Sequence, residues 1–422
     1  MHSVTNAIPT GTIASIPAKA HAHRALICAA LASSPSTILL SRTSKDIDAT
    51  MDSLRGLGAH VVYENKVVTV TPGPAPAKSN VVPHESGTTL RLLLPVAASI
   101  CNDVDVDAKG RLPDRPLEPM LGEMKAHGVT FSQDKPPFTM MGRLQGGNFS
   151  MVGDVSSQFF SGLLLAAPQI GLSTITSTTP LQSSDYVTLT TETMRDFGVE
   201  VEHTLPDTNI NEAFTVPFGA SFIGRDNYQI EGDWSNTAIW MVAAAMTGKP
   251  ITITGMNKNS VQADRRIMQV IESAGCTVTW DGMNITVSGR GNTPIHADLE
   301  QMPDMLPVMA ALACSIQGES SFVKGARLRL KESDRLVAVA NLVKDLGGTV
   351  REEGDDLYII GSGILKGGHG DCVNDHRLVM AGTLMALISE NPVTLKDSEA
   401  ITKSYPHFFE DWNLLGGNAQ PV

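Results

Sequence analysis

Seven cations stand at or near the starts of helix-like segments, where positive side chains oppose the helix dipole: Lys19, Arg24, Arg115, Lys331, Arg335, Arg377 and Lys403. A helix N-terminus offers free N–H groups and a positive dipole end, so it is already an anion site. Lysine and forked arginine donors placed there suit phosphate and carboxylate groups. Polar leaders sit at the same ends: Glu85-Ser86-Gly87-Thr88-Thr89 with Arg91 one turn in, Ser156-Ser157-Gln158, Asp233-Trp234-Ser235-Asn236 and Asn374-Asp375-His376-Arg377. Taken singly, Ser, Thr, Asp and Asn at such places are explained as N-caps, and the run Lys331 to Arg335 as a solvated face. Capping does not explain the cations, which point instead to compensation by bound anions. Asp304 and Glu332 are the carboxylates at hand for proton transfer. His21, His23, His84, His376 and His407 show no metal-ligand spacing, so no metal is expected. A phosphate-binding P-loop and a G-x-G-x-x-G turn after a strand are also missing, which leaves nucleotide binding and a cofactor without support.

Composition narrows the partners. A net charge of −12 argues against nucleic acid or an anionic membrane surface, though not against small anionic substrates. No apolar run reaches the ~18 residues of a membrane span, and the opening MHSVTNAIPTGT lacks the pattern of a signal peptide. Five scattered cysteines without C-x-x-C spacing fit a reducing cytoplasm rather than a disulfide framework. With 422 residues, two domains of about 200 residues are expected, each able to bury its own core, and a monomer is the default.

The elements that must position these residues recur in step. Helix-like runs end in glycine at Gly58, Gly128, Gly198, Gly275, Gly347 and Gly416, at intervals of 70, 70, 77, 72 and 69 residues. Glycine just past a helix is the usual left-handed cap. Upstream of each turn lies a more apolar, Ala-rich helix candidate: 23–34, 88–99, 157–168, 236–248, 304–315 and 376–389. Segments hydrophobic all round belong inside, whereas amphipathic ones such as 334–347 should face solvent. The coarse unit is strand, helix, strand, helix, strand, strand. Six units divide as three and three, which gives an α/β protein with one domain from 1–18 and 231–422 and the other from 19–230.

Several motifs in order then resemble the enolpyruvyl transferase family along the whole chain: E-S-G-T-T-L-R (85–91), D-R-P (114–116), S-S-Q-F (156–159), E-G-D (231–233), R-L-R-L-K-E-S-D-R (327–335) and N-D-H-R (374–377). The resemblance implies two domains, each of three βαβαββ units with helices enclosed by sheets in an inside-out barrel, and an active site in the cleft between them. It implies transfer of the carboxyvinyl group of phosphoenolpyruvate to the 5-hydroxyl of shikimate 3-phosphate, without a cofactor. Shikimate 3-phosphate would be held by Lys19, Arg24, Ser156, Ser157, Gln158, Ser183, Tyr186, Asp304 and Lys331. Phosphoenolpyruvate would be held by Lys19, Gly87, Arg115, Gln158, Arg335, Arg377 and Lys403. Asp304, Glu332 and Lys19 would be the catalytic groups. Ala20 stands where the family's pattern expects a serine, Glu85 replaces a more usual Asn, and Arg327 replaces another. Two alternatives remain: a UDP-N-acetylglucosamine carboxyvinyltransferase and a catalytically silent anion-binding homologue. The first typically carries a cysteine in the loop that is 109–116 here, and this loop has none.

Overall fold

The computed structural model describes residues 1–207 and 211–422. The chain divides into two compact units, Met1–Ile16 with Glu231–Val422 and Pro17–Ile230. The first crossing therefore falls after Ile16 rather than after Ala18. Ala18 is buried in the core of the Pro17–Ile230 unit, and its carbonyl accepts the Ala22 N–H as the first helix begins.

Among the described residues the strands form six open four-stranded sheets, three per unit, and each repeats one pattern of pairing. In one, Ser79–Val81 runs parallel to Asp103–Val106, which pairs antiparallel with Phe138–Met141, and that strand in turn with Thr130–Phe131. Parallel neighbours need a long crossover, and the buried helix supplies it. The lead strand of the first repeat in each unit comes from chain just before a crossing. Tyr228–Gln229 pairs with Ser36–Leu39, and Gly11–Ala14 with Gly248–Thr254. The βαβαββ reading is borne out, but the sheets stay separate rather than closing into a hydrogen-bonded ring.

The enclosed helices are Lys19–Ala30, Gly87–Ile100 and Ser157–Ile170 in one unit, and Trp234–Thr247, Leu306–Ser315 and His376–Ala386 in the other. Small residues let them approach closely: a Cβ at Gly162 would lie 2.5 Å from the Arg91 carbonyl oxygen. The outer helices are Lys45–Gly56, Met120–Ala126, Asp185–Asp196, Ile267–Ser273, Arg335–Asp345 and Phe408–Leu414. The six turn glycines that follow them all take φ between +87° and +104°, a region costly for any side chain. The 334–347 segment departs from the solvent-facing expectation. It packs against the Leu306–Ser315 helix and buries Arg335, leaving Val337, Asn341, Lys344 and Asp345 outside.

Candidate active site

In the Pro17–Ile230 unit, the chemistry gathers at the N-terminal ends of the three buried helices. Lys19 opens the first, and its Nζ donates to Asp46 Oδ2 at 2.7 Å. The Asp46 carbonyl accepts from the Thr89 hydroxyl at 3.3 Å, in the first turn of the second helix, whose cap is Ser86. Beside Thr89, the Thr88 hydroxyl accepts from Gln158 Nε2 at 2.9 Å, and Gln158 Oε1 accepts from Arg91 Nη1 at 3.1 Å. Gln158 stands in the first turn of the third helix behind the buried pair Ser156 and Ser157, with Ser156 Oγ capping its N–H. Arg91 also donates to the Pro116 carbonyl at 3.1 Å, which fixes the loop that carries Arg115.

Gly87 is where the Arg115 guanidinium lies against backbone. A Cβ at Gly87 would sit 2.5 Å from Arg115 Nη1, closer than any real contact allows. Gly87→Ala should therefore displace the tip of Arg115, a flexible group, rather than unfold the helix. The expected outcome is a melting temperature near wild type with a roughly tenfold weaker apparent affinity for an anionic substrate, if Arg115 serves one. Steady-state kinetics together with thermal melting checks it, and an unchanged KM for every substrate would refute it.

Arg24 lies deeper than its sequence position suggests. Buried, it donates to Thr190 Oγ1 (2.7 Å), Ser161 Oγ (3.3 Å) and the carbonyls of Ala20 (2.7 Å) and Tyr186 (2.9 Å). Burial lowers its guanidinium to about 10, still cationic at neutral pH. These bonds pin the start of the Asp185–Asp196 helix. Just before it, Ser183 is buried with φ +53°, and its carbonyl accepts the Tyr186 N–H.

In the other unit a single buried arginine organises three carboxylates. Arg335, 1% exposed, donates from Nη1 to Asp304 Oδ1 (2.6 Å), from Nη2 to Glu332 Oε2 (2.7 Å), and from Nε to Asp375 Oδ2 (2.8 Å). Lys331 Nζ adds a second cation to Asp304 at 3.0 Å. Burial alone would raise the Asp304 carboxyl, but Lys331, Arg335 and Arg377 outweigh it and hold it far below the usual carboxylate range. Burial lowers the Lys331 ammonium, opposed by Asp304. For Arg335, burial is overcome by Asp375, Glu332 and Asp304, so its charge is permanent.

Asp375, fully buried, caps the His376–Ala386 helix by accepting the Arg377 N–H at 2.9 Å, and it also accepts from Ser333 Oγ at 2.9 Å. Arg377 Nη1 donates to the Ser235 carbonyl at 2.8 Å, while its buried Nε has no protein partner. Such a donor suits an anionic ligand. Lys403 Nζ donates to the Asn374 carbonyl at 2.7 Å, which places it beside the same helix start.

Each unit thus assembles its share of the expected residues: Lys19, Arg24, Gly87, Arg115, Ser156, Ser157, Gln158, Ser183 and Tyr186 in one, and Asp304, Lys331, Glu332, Arg335, Arg377 and Lys403 in the other. The sequence reading missed Asp46 and Asp375 as partners of Lys19 and Arg335, and Asp264, whose carboxylate accepts from the Ser235 hydroxyl. An acid at a helix start next to a cation was the available signal for Asp375. Asp264 had none beyond its place in Q-A-D (262–264). Among the described residues, no group of His, Cys, Asp and Glu is arranged to hold a metal ion.

Comparison with known proteins gives a consistent result. The sequence model of the family described as EPSP synthase (3-phosphoshikimate 1-carboxyvinyltransferase) matches residues 7–412. A 3-phosphoshikimate 1-carboxyvinyltransferase of Clostridium kluyveri is 36% identical over 406 residues, covering 95% of this chain and 94% of the relative. One from Methanocorpusculum labreanum is 32% identical over 416 residues, covering 97% of each. A solved structure of EPSP synthase from Acinetobacter baumannii shares the fold, with a TM-score of 0.79 at 23% identity over 100% of this chain and 99% of that one.

Proposed function

Because the chain belongs to the EPSP synthase family, we propose that it transfers the carboxyvinyl group of phosphoenolpyruvate to the 5-hydroxyl of shikimate 3-phosphate, releasing phosphate. The product, 5-enolpyruvylshikimate 3-phosphate, leads toward chorismate and the aromatic amino acids. The observation that carries the chemistry is Asp304, a carboxylate held ionised by Lys331 and Arg335 among donors shaped for phosphate and carboxylate.

The proposed roles follow from residue type and placement. Lys19, Gly87, Arg115, Gln158, Arg335, Arg377 and Lys403 serve phosphoenolpyruvate, whose phosphate and carboxylate both suit forked donors. Lys19, Arg24, Ser156, Ser157, Gln158, Ser183, Asp304 and Lys331 serve shikimate 3-phosphate, with Tyr186 near the ring. As the 5-oxygen bonds to C2 of phosphoenolpyruvate, its proton passes to Asp304 and the methylene carbon gains one, which gives a tetrahedral intermediate. Loss of phosphate, with removal of a proton from the new methyl group, restores the double bond. Glu332 and Lys19 handle the proton at that carbon and the leaving phosphate oxygen.

Asp304 is too acidic in the free protein to keep a proton. Substrate anions that draw donors away from Lys331 and Arg335 would weaken their hold and raise its basicity when it is needed. Charge stabilisation and positioning supply much of the remaining acceleration.

We further propose a cytoplasmic monomer. Its support is that each unit has its own core, that the five cysteines are free and buried, and that no helix among the described residues is long and apolar enough to cross a membrane. The functional test is phosphate release from phosphoenolpyruvate with shikimate 3-phosphate or with UDP-N-acetylglucosamine as acceptor. Release with the first acceptor alone is expected. Release with the sugar nucleotide alone, or with neither, would overturn the proposal.

A further inference from the structure

We propose that Asp264 is a positioning residue for this reaction: acting through Ser235 and by its own charge, it sets the Arg377 guanidinium on the anion of phosphoenolpyruvate. The inference rests on reading Arg377 as a phosphoenolpyruvate contact. Asp264 lies in the short helical turn Ala263–Arg266 and is 1% exposed. Its Oδ2 accepts from the Ser235 hydroxyl, and the Ser235 carbonyl accepts from Arg377 Nη1 at 2.8 Å. One residue therefore holds the acid with its side chain and the arginine with its backbone.

A second acid already ties the loop that leads to Asp264. It is Glu231, accepting from Asn257 Nδ2 (2.9 Å), Ser260 Oγ (2.9 Å) and Gln262 Nε2 (2.8 Å), while Gln262 Oε1 accepts the Trp234 N–H at 3.1 Å. A buried charge at 264 is also electrostatically unfavourable. Burial first, then Asp304 from the 303–305 turn and Asp233 capping the Trp234–Thr247 helix, push its carboxyl up, against Arg377 and the Ser235 hydroxyl. It settles at about 6. The Arg377 guanidinium that Ser235 carries favours its ionised form, and an ionised acid there steadies that guanidinium while its partnerless Nε edge stays available to an anion.

The test compares the whole wild-type protein with Asp264→Asn, which keeps an oxygen for Ser235 but loses the charge. At pH 8 the variant's kcat/KM for phosphoenolpyruvate should fall roughly tenfold, with KM for shikimate 3-phosphate within about twofold of wild type. Asp264 is ionised above pH 6 and protonated below it. The wild-type-to-variant ratio should therefore shrink toward one as pH falls to 5, a comparison in which ionisation of the substrates cancels. Ser235→Ala should show the same substrate signature, and the double variant should be little worse than either single one, as expected for residues acting in series. Asp264→Asn should melt no lower than wild type at pH 7.5, and Ser235→Ala serves if it does. A pH-independent ratio, or equal losses for both substrates, would overturn the role of Asp264 while leaving the proposed reaction standing. Failure of the reaction itself would appear first, as no turnover by the wild type.

Discussion

Asp304→Ala should lower turnover ~10²–10⁴-fold, the usual range for a lost general acid–base group, while shikimate 3-phosphate still binds. Five of the seven cations considered at the outset, with the serines and Gln158, lie outside the Lys331–Arg335–Asp304 cluster, so much of the binding should survive. Phosphate release and equilibrium titration with shikimate 3-phosphate measure the two effects separately, and near-normal turnover would remove Asp304 from its role. The direction of its titration adds a constraint. A carboxyl whose folded-state value is depressed contributes stability above the ordinary carboxylate range near 4, and that stability is lost as pH falls through the folded value. Between pH 5 and 8 Asp304 in the free protein does not titrate, so an acid limb near pH 6 in kcat/KM should come from the substrate phosphates and from Asp264, and only the second part should vanish in Asp264→Asn.

Arg335→Met should be the most damaging single change to stability. It strips the cation from Asp375, which is fully buried, and from Asp304 and Glu332 together. Breaking a buried ion pair from one side costs about 3–5 kcal/mol, because the orphaned charges remain. In a unit of this size that corresponds to a fall of roughly 10 °C in melting temperature. Arg335→Lys keeps the charge but loses the fork, and should fall between the two. Equal melting of Arg335→Met and wild type at pH 7.5 would mean that Arg335 does not organise the cluster.

Local rules explain why so much of the fold was legible. Glycine at a left-handed cap, polar residues at helix starts and all-round apolar helices are each decided within a few residues. Their repetition gave the six units and the two halves. The cationic set was legible for the same reason, since a cation at a helix start is conspicuous against its dipole. What the sequence withheld were the partners. Asp46 stands 27 residues from Lys19, and Asp375 stands 40 from Arg335, so only the tertiary fold brings them into range. Arg24 shows the limit differently. Standing six residues into a helix, it also donates to the Tyr186 carbonyl of the neighbouring Asp185–Asp196 helix, a contact 162 residues away that no local rule announces.

The borrowed lead strands bear on the order in which the protein takes shape during synthesis. Pro17–Ile230 is one continuous stretch that includes its own Tyr228–Gln229 strand, so it has everything it needs once that stretch has left the ribosome. The other unit is built from both ends of the chain. Gly11–Ala14 must wait for Gly248–Thr254, and His2–Val4 waits longer still, for Val393–Lys396 and Ala419–Pro421. Both strands are thus made before a whole unit yet paired only after it, and the nascent chain has to keep them unpaired while that unit is completed behind them.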